Sequence, residues 1–150
     1  MNLNALPSEV FSVVGSIDPD AYAASTVTSG WIDASKFQQY MAVVQTGDLG
    51  VSATVDAKLQ QATDSSGTGV KDVTGKAITQ LTQAGTDSDK QVLINLNPSQ
   101  HLDIDNNFDY FRLSMTVAVA TSDAGGIVFG LNPRTGIATD NDSSTVDEIK

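Results

Sequence analysis

The sequence predicts an all-β chain folded as an antiparallel β-sandwich, jelly-roll-like, with a helical or extended arm at its N-terminus. Three observations predict it. Apolar and polar residues alternate with period two in several short runs, as half-buried strands require. Turn residues punctuate those runs at short spacing, and no strand–helix–strand alternation points to a parallel sheet. Composition agrees: 40% of the 150 residues are hydrophobic and only 17% are charged. Thr, Ser, Asn, Gln and Gly fill the polar positions, and nearly all the acid is Asp, a turn residue.

Residues 1–25 differ from the rest and are expected to form the arm. Leu6, Val10, Val13 and Ile17 follow one another at spacings of four, three and four, which fits one helical face. Pro7 suits the first helical position, and Asp18-Pro19-Asp20 stops the run. With Phe11 and Val14, these four are the candidate partner-binding residues. The arm either folds back on its own sandwich or packs on a neighbouring subunit.

The sandwich is expected over residues 26–138. A first strand runs from Thr26 to Asp33, marked by Val27 and Trp31. Phe37 to Gln45 and Val51 to Gln61 are expected to pair as a hairpin across Thr46-Gly47-Asp48-Leu49-Gly50. In the second of these, Val51, Ala53, Val55, Ala57 and Leu59 share one face. Val70 to Val73 is a short strand, while Ile78 and Leu81 allow a helical turn or an irregular edge. Val92, Ile94 and Leu96 alternate next. The cleanest alternation sets Phe111, Leu113, Met115, Val117 and Val119 on one face. Ser122 to Gly126 is expected as a loop, with Ile127, Phe129 and Leu131 in the last strand. Residues 139–150 are an acidic, flexible tail.

Charge and composition narrow the functions. A formal net charge of −10 repels nucleic acid and anionic lipid, so neither is expected as a partner. With no cysteine, a disulfide scaffold and a Cys zinc site are excluded. No basic region followed by an apolar run opens the chain, so no conventional secretory leader is expected. No apolar stretch approaches the roughly 20 residues that span a bilayer. His101 is the sole histidine and has no nucleophile motif to serve. Asp103-Ile-Asp-Asn-Asn-Phe-Asp109 has an oxygen-rich calcium-loop opening. Phe108 and Ser114, however, stand where an EF-hand needs Gly and Glu, so a solvated turn is the expectation. Gly125-Gly126 and Gly67-Thr68-Gly69 lack the lysine of a phosphate loop. No cofactor, metal or catalytic set is expected.

Two short patterns carry a resemblance. Lys58-Leu59-Gln60 is followed by Asp64 and Gly67, and Tyr110, Arg112, Leu113 and Thr116 make a later Y-x-R-L-x-x-T. With Lys71-Asp72-Val73, Ala77 to Leu81 and Gly130 to Arg134, residues 26–136 resemble the small decoration, or cement, proteins of tailed-bacteriophage heads. The resemblance implies a structural virion protein, made in the bacterial host cytoplasm, that binds the capsid exterior and stabilises the shell. It implies the major capsid protein as partner and a homo-oligomer, with a trimer suiting threefold positions. It carries no catalytic residue. Two other roles stay open: a neck, tail or fibre-base component, and a carbohydrate-binding or adhesive sandwich.

Overall fold

A computed structural model describes residues 4–150; residues 1–3 of the expected arm lie outside the described residues. After one helical turn, α1 (Pro7–Val10), come ten strands. They are β1 (Phe11–Tyr22), β2 (Ser25–Thr28), β3 (Ile32–Asp33), β4 (Phe37–Thr46), β5 (Thr54–Ala62), β6 (Lys71–Ala77), β7 (Leu81–Thr82), β8 (Gln91–Leu96), β9 (Tyr110–Ala118) and β10 (Ser122–Pro133). A second helical turn, α2 (Pro98–His101), separates β8 from β9.

Two antiparallel sheets face each other. One has the order β1-β10-β4-β8; the other has β2-β9-β5-β6, with β3 also on β9 and β7 also on β5. β2 and β3 both pair with β9, as one strand interrupted at 29–31. The interruption is held by Ser29, whose N–H donates to the Leu113 carbonyl at 2.9 Å and whose Oγ accepts from the Leu113 N–H at 3.0 Å. β6 and β7 are likewise one interrupted strand along β5. Counted so, the described residues form eight strands ordered 1-8-3-6 and 2-7-4-5, the double Greek key of a jelly roll.

The core lies between the sheets. Phe37, Tyr40 and Phe111 stack edge-to-face, with centroids 5.7 and 4.7 Å apart. Val44 and Leu96 from one sheet meet Val55, Leu59, Leu113, Met115 and Val117 from the other, all buried. Gly130 makes room for the rings, since a Cβ there would lie 2.4 Å from Phe37 Cδ2. Tyr40 is fully packed, yet its hydroxyl donates to the Asp33 carbonyl at 2.9 Å and accepts from the Phe37 N–H at 3.1 Å. That satisfies two backbone groups that burial would otherwise leave unpaired.

Several expectations are corrected. The helix predicted over Leu6–Ile17 is confined to α1, and Phe11 onward is the edge strand β1, paired with β10 from Phe11↔Leu131 to Tyr22↔Ser122. Residues 11–22 therefore lie on this chain's own sandwich as an extended segment, one of the two placements expected of the arm. β1 carries two register shifts, between Val13 and Gly15 and between Ile17 and Asp20. The first bulge inserts a residue, so Val13 and Ile17, four apart, face opposite sides of the sheet instead of sharing one.

The expected β4–β5 hairpin is absent, because these strands belong to opposite sheets. Residues 47–53 cross the sandwich between them, and Leu49 is buried on the way. Val51 lies in that crossing and is exposed. Val119, expected on one face with Phe111, Leu113, Met115 and Val117, does not share their burial: β9 ends at Ala118 and Val119, exposed, turns with φ 74. β10 begins at Ser122, so the expected loop is strand. Its inward residues are Ser122, Ala124, Gly126, Val128 and Gly130, which sends Ile127, Phe129 and Leu131 outward. Residues 138–141 form a 3-10 turn, Ala138 is buried, and the Ser143 N–H donates to the Val13 carbonyl at 2.7 Å. The start of the tail is therefore tied to the edge of β1.

Candidate interaction face

The two outer faces of the sandwich differ in kind. On the β2-β9-β5-β6 sheet, polar side chains pair with one another. Lys58 bridges Asp72 at 2.8 Å, Gln80 donates to Asp56 at 2.7 Å, and the Thr26 and Thr116 hydroxyls lie 2.8 Å apart. Arg112 donates twice to Gln60 Oε1, at 3.0 and 2.9 Å, and stacks 4.5 Å from the Trp31 ring. The Lys58 and Gln60 hydrogen bonds hold the Asp72 carboxyl below its usual range. This face satisfies itself.

The outer face of the β1-β10-β4-β8 sheet is apolar. Register aligns Val13, Phe129 and Met41 in one row across three strands, continued by Asn95 on β8. The next row is Ser16, Ile127, Val43 and Leu93. Phe11 and Leu131 pair beyond the first, and Phe11 meets Phe129 edge-to-face at 6.1 Å. Leu93 is 57% exposed and Ile127 42%. Gln39, Gln45 and Gln91, all exposed, edge this surface. An exposed contiguous apolar patch rimmed by polar residues marks an interaction site.

The six arm residues do not act together. Phe11 and Val13 belong to the apolar face, and Leu6, 65% exposed, precedes α1, in which Val10 is half-buried. Ile17 is 4% exposed within the core, and Val14, at the first bulge, packs against it. Sequence reading missed Met41, Val43, Leu93, Ile127 and Phe129 as surface residues. The signal was there: Tyr40-Met-Ala-Val-Val44 and Ile127-Val-Phe129 are apolar at both parities, which means that both faces of the strand avoid water.

The other singled-out positions are occupied by local structure. Asp103 accepts from Lys71 and from Asn106 Nδ2 at 2.8 Å, which holds its carboxyl below the usual range. Lys71 also lies 3.8 Å from the Phe108 ring centroid. The 103–109 turn is thus braced by a protein cation. His101 Nδ1 accepts from the Asn97 N–H at 2.9 Å, within the turn of α2. Among the described residues no group of three or more His, Cys, Asp or Glu is placed to hold a metal, and no helix is long and apolar enough to cross a membrane.

The motif residues that carry the family resemblance turn out to be neighbours. Leu59 pairs with Leu113 and Gln60 with Arg112 across β5 and β9. Asp64 Oδ1 accepts from the Ser66 and Thr68 N–H groups at 2.9 and 3.0 Å, closing the turn that holds Gly67. They specify a sheet and its turn.

No protein-family model matches the chain, and no curated protein matches it by sequence. Solved structures are similar to it in outline. A chain of the cowpea mosaic virus top component, a naturally occurring empty particle, is 11% identical over 91% of this chain and 95% of its own, with a TM-score of 0.46. A chain of broad bean stain virus is 14% identical over 92% and 93%, with a TM-score of 0.47. A carbohydrate-binding module specific for non-crystalline cellulose is 6% identical over 88% and 95%, at 0.49. At these scores the likenesses carry no functional argument, and the jelly roll rests on the strand order itself.

Proposed function

We propose that this chain is a structural virion protein that docks on the outside of a bacteriophage capsid and stabilises the shell, acting by binding and not by turnover. The observation that carries the docking role is the apolar outer face of the β1-β10-β4-β8 sheet, set against a self-satisfied polar face opposite. The short motif resemblance supports the virion setting, and the net charge of −10 suits a surface that must not attract DNA.

Size constrains the mechanism. Four strands about 4.8 Å apart span roughly 19 Å, and about six residues of β4 at some 3.3 Å each span about 20 Å. The face is therefore about 380 Å² in plan, whereas a standard interface buries about 800 Å² per partner. One such contact is weak alone. Repetition by symmetry, or a small oligomer bridging neighbouring major capsid subunits, supplies the affinity through effective concentration. A protein that binds only the assembled shell stabilises that state by linkage.

The test is quantitative mass spectrometry of purified particles. A copy number equal to, or a simple fraction of, that of the main shell protein is expected. A ratio of a few per cent assigns the chain to the neck or tail, and absence from particles overturns the virion role.

A further inference from the structure

At one end of the apolar face the surface sinks into a hollow of about 970 Å³. Val13, Val43 and Ile127, with Val146 of the C-terminal tail, form its apolar side. Gly125 adds no side chain there, and a Cβ on it would lie 2.9 Å from Pro19 Cα, because the second bulge of β1 arches over it. The Tyr22 hydroxyl ties the arch down by donating to the Asp18 carbonyl at 2.6 Å. The far wall is fixed by backbone bonds, Asp123 N–H to the Asp48 carbonyl at 3.0 Å and Asp89 N–H to the Gly47 carbonyl at 3.1 Å. Asp18, Asp20, Asp89 and Asp123 line the hollow, and no lysine or arginine does. The ion pairs among the described residues use Asp33, Asp72, Asp103 and Glu148 instead.

The geometry points to one occupant: an apolar side chain flanked by lysine or arginine, presented by a different protein. Apolar walls supply the burial, and the surrounding carboxylates select and orient a basic flank. A second copy of this chain is the poorer fit. Two-fold pairing through this face would bring four carboxylates against their own copies, on chains that each carry −10. The inference rests on the docking role proposed above and adds the chemistry of what enters.

The full chain, isotopically labelled, is titrated with a short synthetic Lys-Lys-Leu-Lys-Lys peptide and followed by amide chemical shifts. Shifts confined to Val43, Gly125, Ile127 and the arch at 18–20 are expected. Glu-Glu-Leu-Glu-Glu leaves them unmoved, and Lys-Lys-Gly-Lys-Lys binds at least about tenfold more weakly. Asp18→Asn with Asp123→Asn weakens the Leu peptide several-fold while the rest of the spectrum stays native. Raising salt from about 0.1 to about 1 M, which cuts the screening length from about 10 to about 3 Å, weakens binding about tenfold. No shift at these amides, equal response to the glutamate peptide, or shifts scattered over acids elsewhere overturns the inference. So does concentration dependence of the same amides without peptide, which would make a second copy the occupant. Because no particle is involved, peptide binding by a chain absent from virions would overturn the shell role alone.

Discussion

Replacing Tyr40 by Phe removes one oxygen and leaves the aromatic stack with Phe37 and Phe111 in place. The hydroxyl joins the Phe37 N–H to the Asp33 carbonyl in a buried setting, so the variant strands a donor and an acceptor together. An unsatisfied buried group costs about 1–3 kcal/mol, and partial relaxation puts the expected loss near 2 kcal/mol. For a chain of this length that is a fall in Tm of roughly 4–8 °C. A pH arm comes with it. Burial pushes the Tyr40 phenol above its ordinary value of 10.0. The folded state therefore keeps the proton after the unfolded state has released it. The resulting contribution to stability is whole below about pH 10 and is lost as pH rises from there. Calorimetry at pH 7 and a series of urea melts between about pH 9 and pH 11 read both effects. Tyr40→Phe lowers Tm at pH 7 and shows a shallower alkaline decline than the native chain. An unchanged Tm at pH 7 would refute the claim that this hydroxyl satisfies the turn between β3 and β4.

Four further outcomes follow from the same structure. Gly130→Ala drives a methyl into the Phe37 ring and costs about 1–3 kcal/mol by urea unfolding. Deleting residues 1–17 strips the buried Ser12, Gly15 and Ile17 from β1 and abolishes cooperative unfolding in a urea melt. Lys71 and Asn106 hold the Asp103 carboxyl low, so the stability this group adds is present above its unfolded value near pH 4 and is lost as pH falls below it. Asp103→Asn accordingly flattens the decline of Tm between about pH 4 and pH 2. Ile127→Lys, at a half-exposed position, changes stability by no more than about 0.5 kcal/mol in a urea melt.

The strands that sequence reading placed best have one wet and one dry face. β9 is the clear instance, with Phe111, Leu113, Met115 and Val117 all inward, and β8 follows with Ile94 and Leu96. Where both faces avoid water, periodicity loses its phase. In β10 the alternation of Ile127, Phe129 and Leu131 marks a strand without saying which side is dry; these three face outward, and the inward set is Val128 between Gly126 and Gly130, kept small by Leu113 and Phe37 above. The same ambiguity hid the apolar outer face, whose residues are dispersed over β1, β4, β8 and β10. β1 failed differently: Leu6 and Val10 belong to the helical turn before it, and the first bulge sends Val13 and Ile17 to opposite faces of the sheet. The β4–β5 connection failed because a two-glycine linker has the same composition whether it turns back in one sheet or crosses to the other. The hollow depends on the Asp18–Pro19 arch passing over Gly125, a juxtaposition of residues more than 100 positions apart that no local pattern encodes.

The most direct test of the docking face is saturation binding to shells that lack this chain, comparing the native protein with an Ile127→Lys, Leu93→Lys variant of unchanged fold. The native chain is expected to saturate at a simple fraction of the shell subunits. The variant is expected to need at least about tenfold more protein, the equivalent of about 1.4 kcal/mol per site. Equal binding by the two would show that the outer face of the β1-β10-β4-β8 sheet is not what meets the shell.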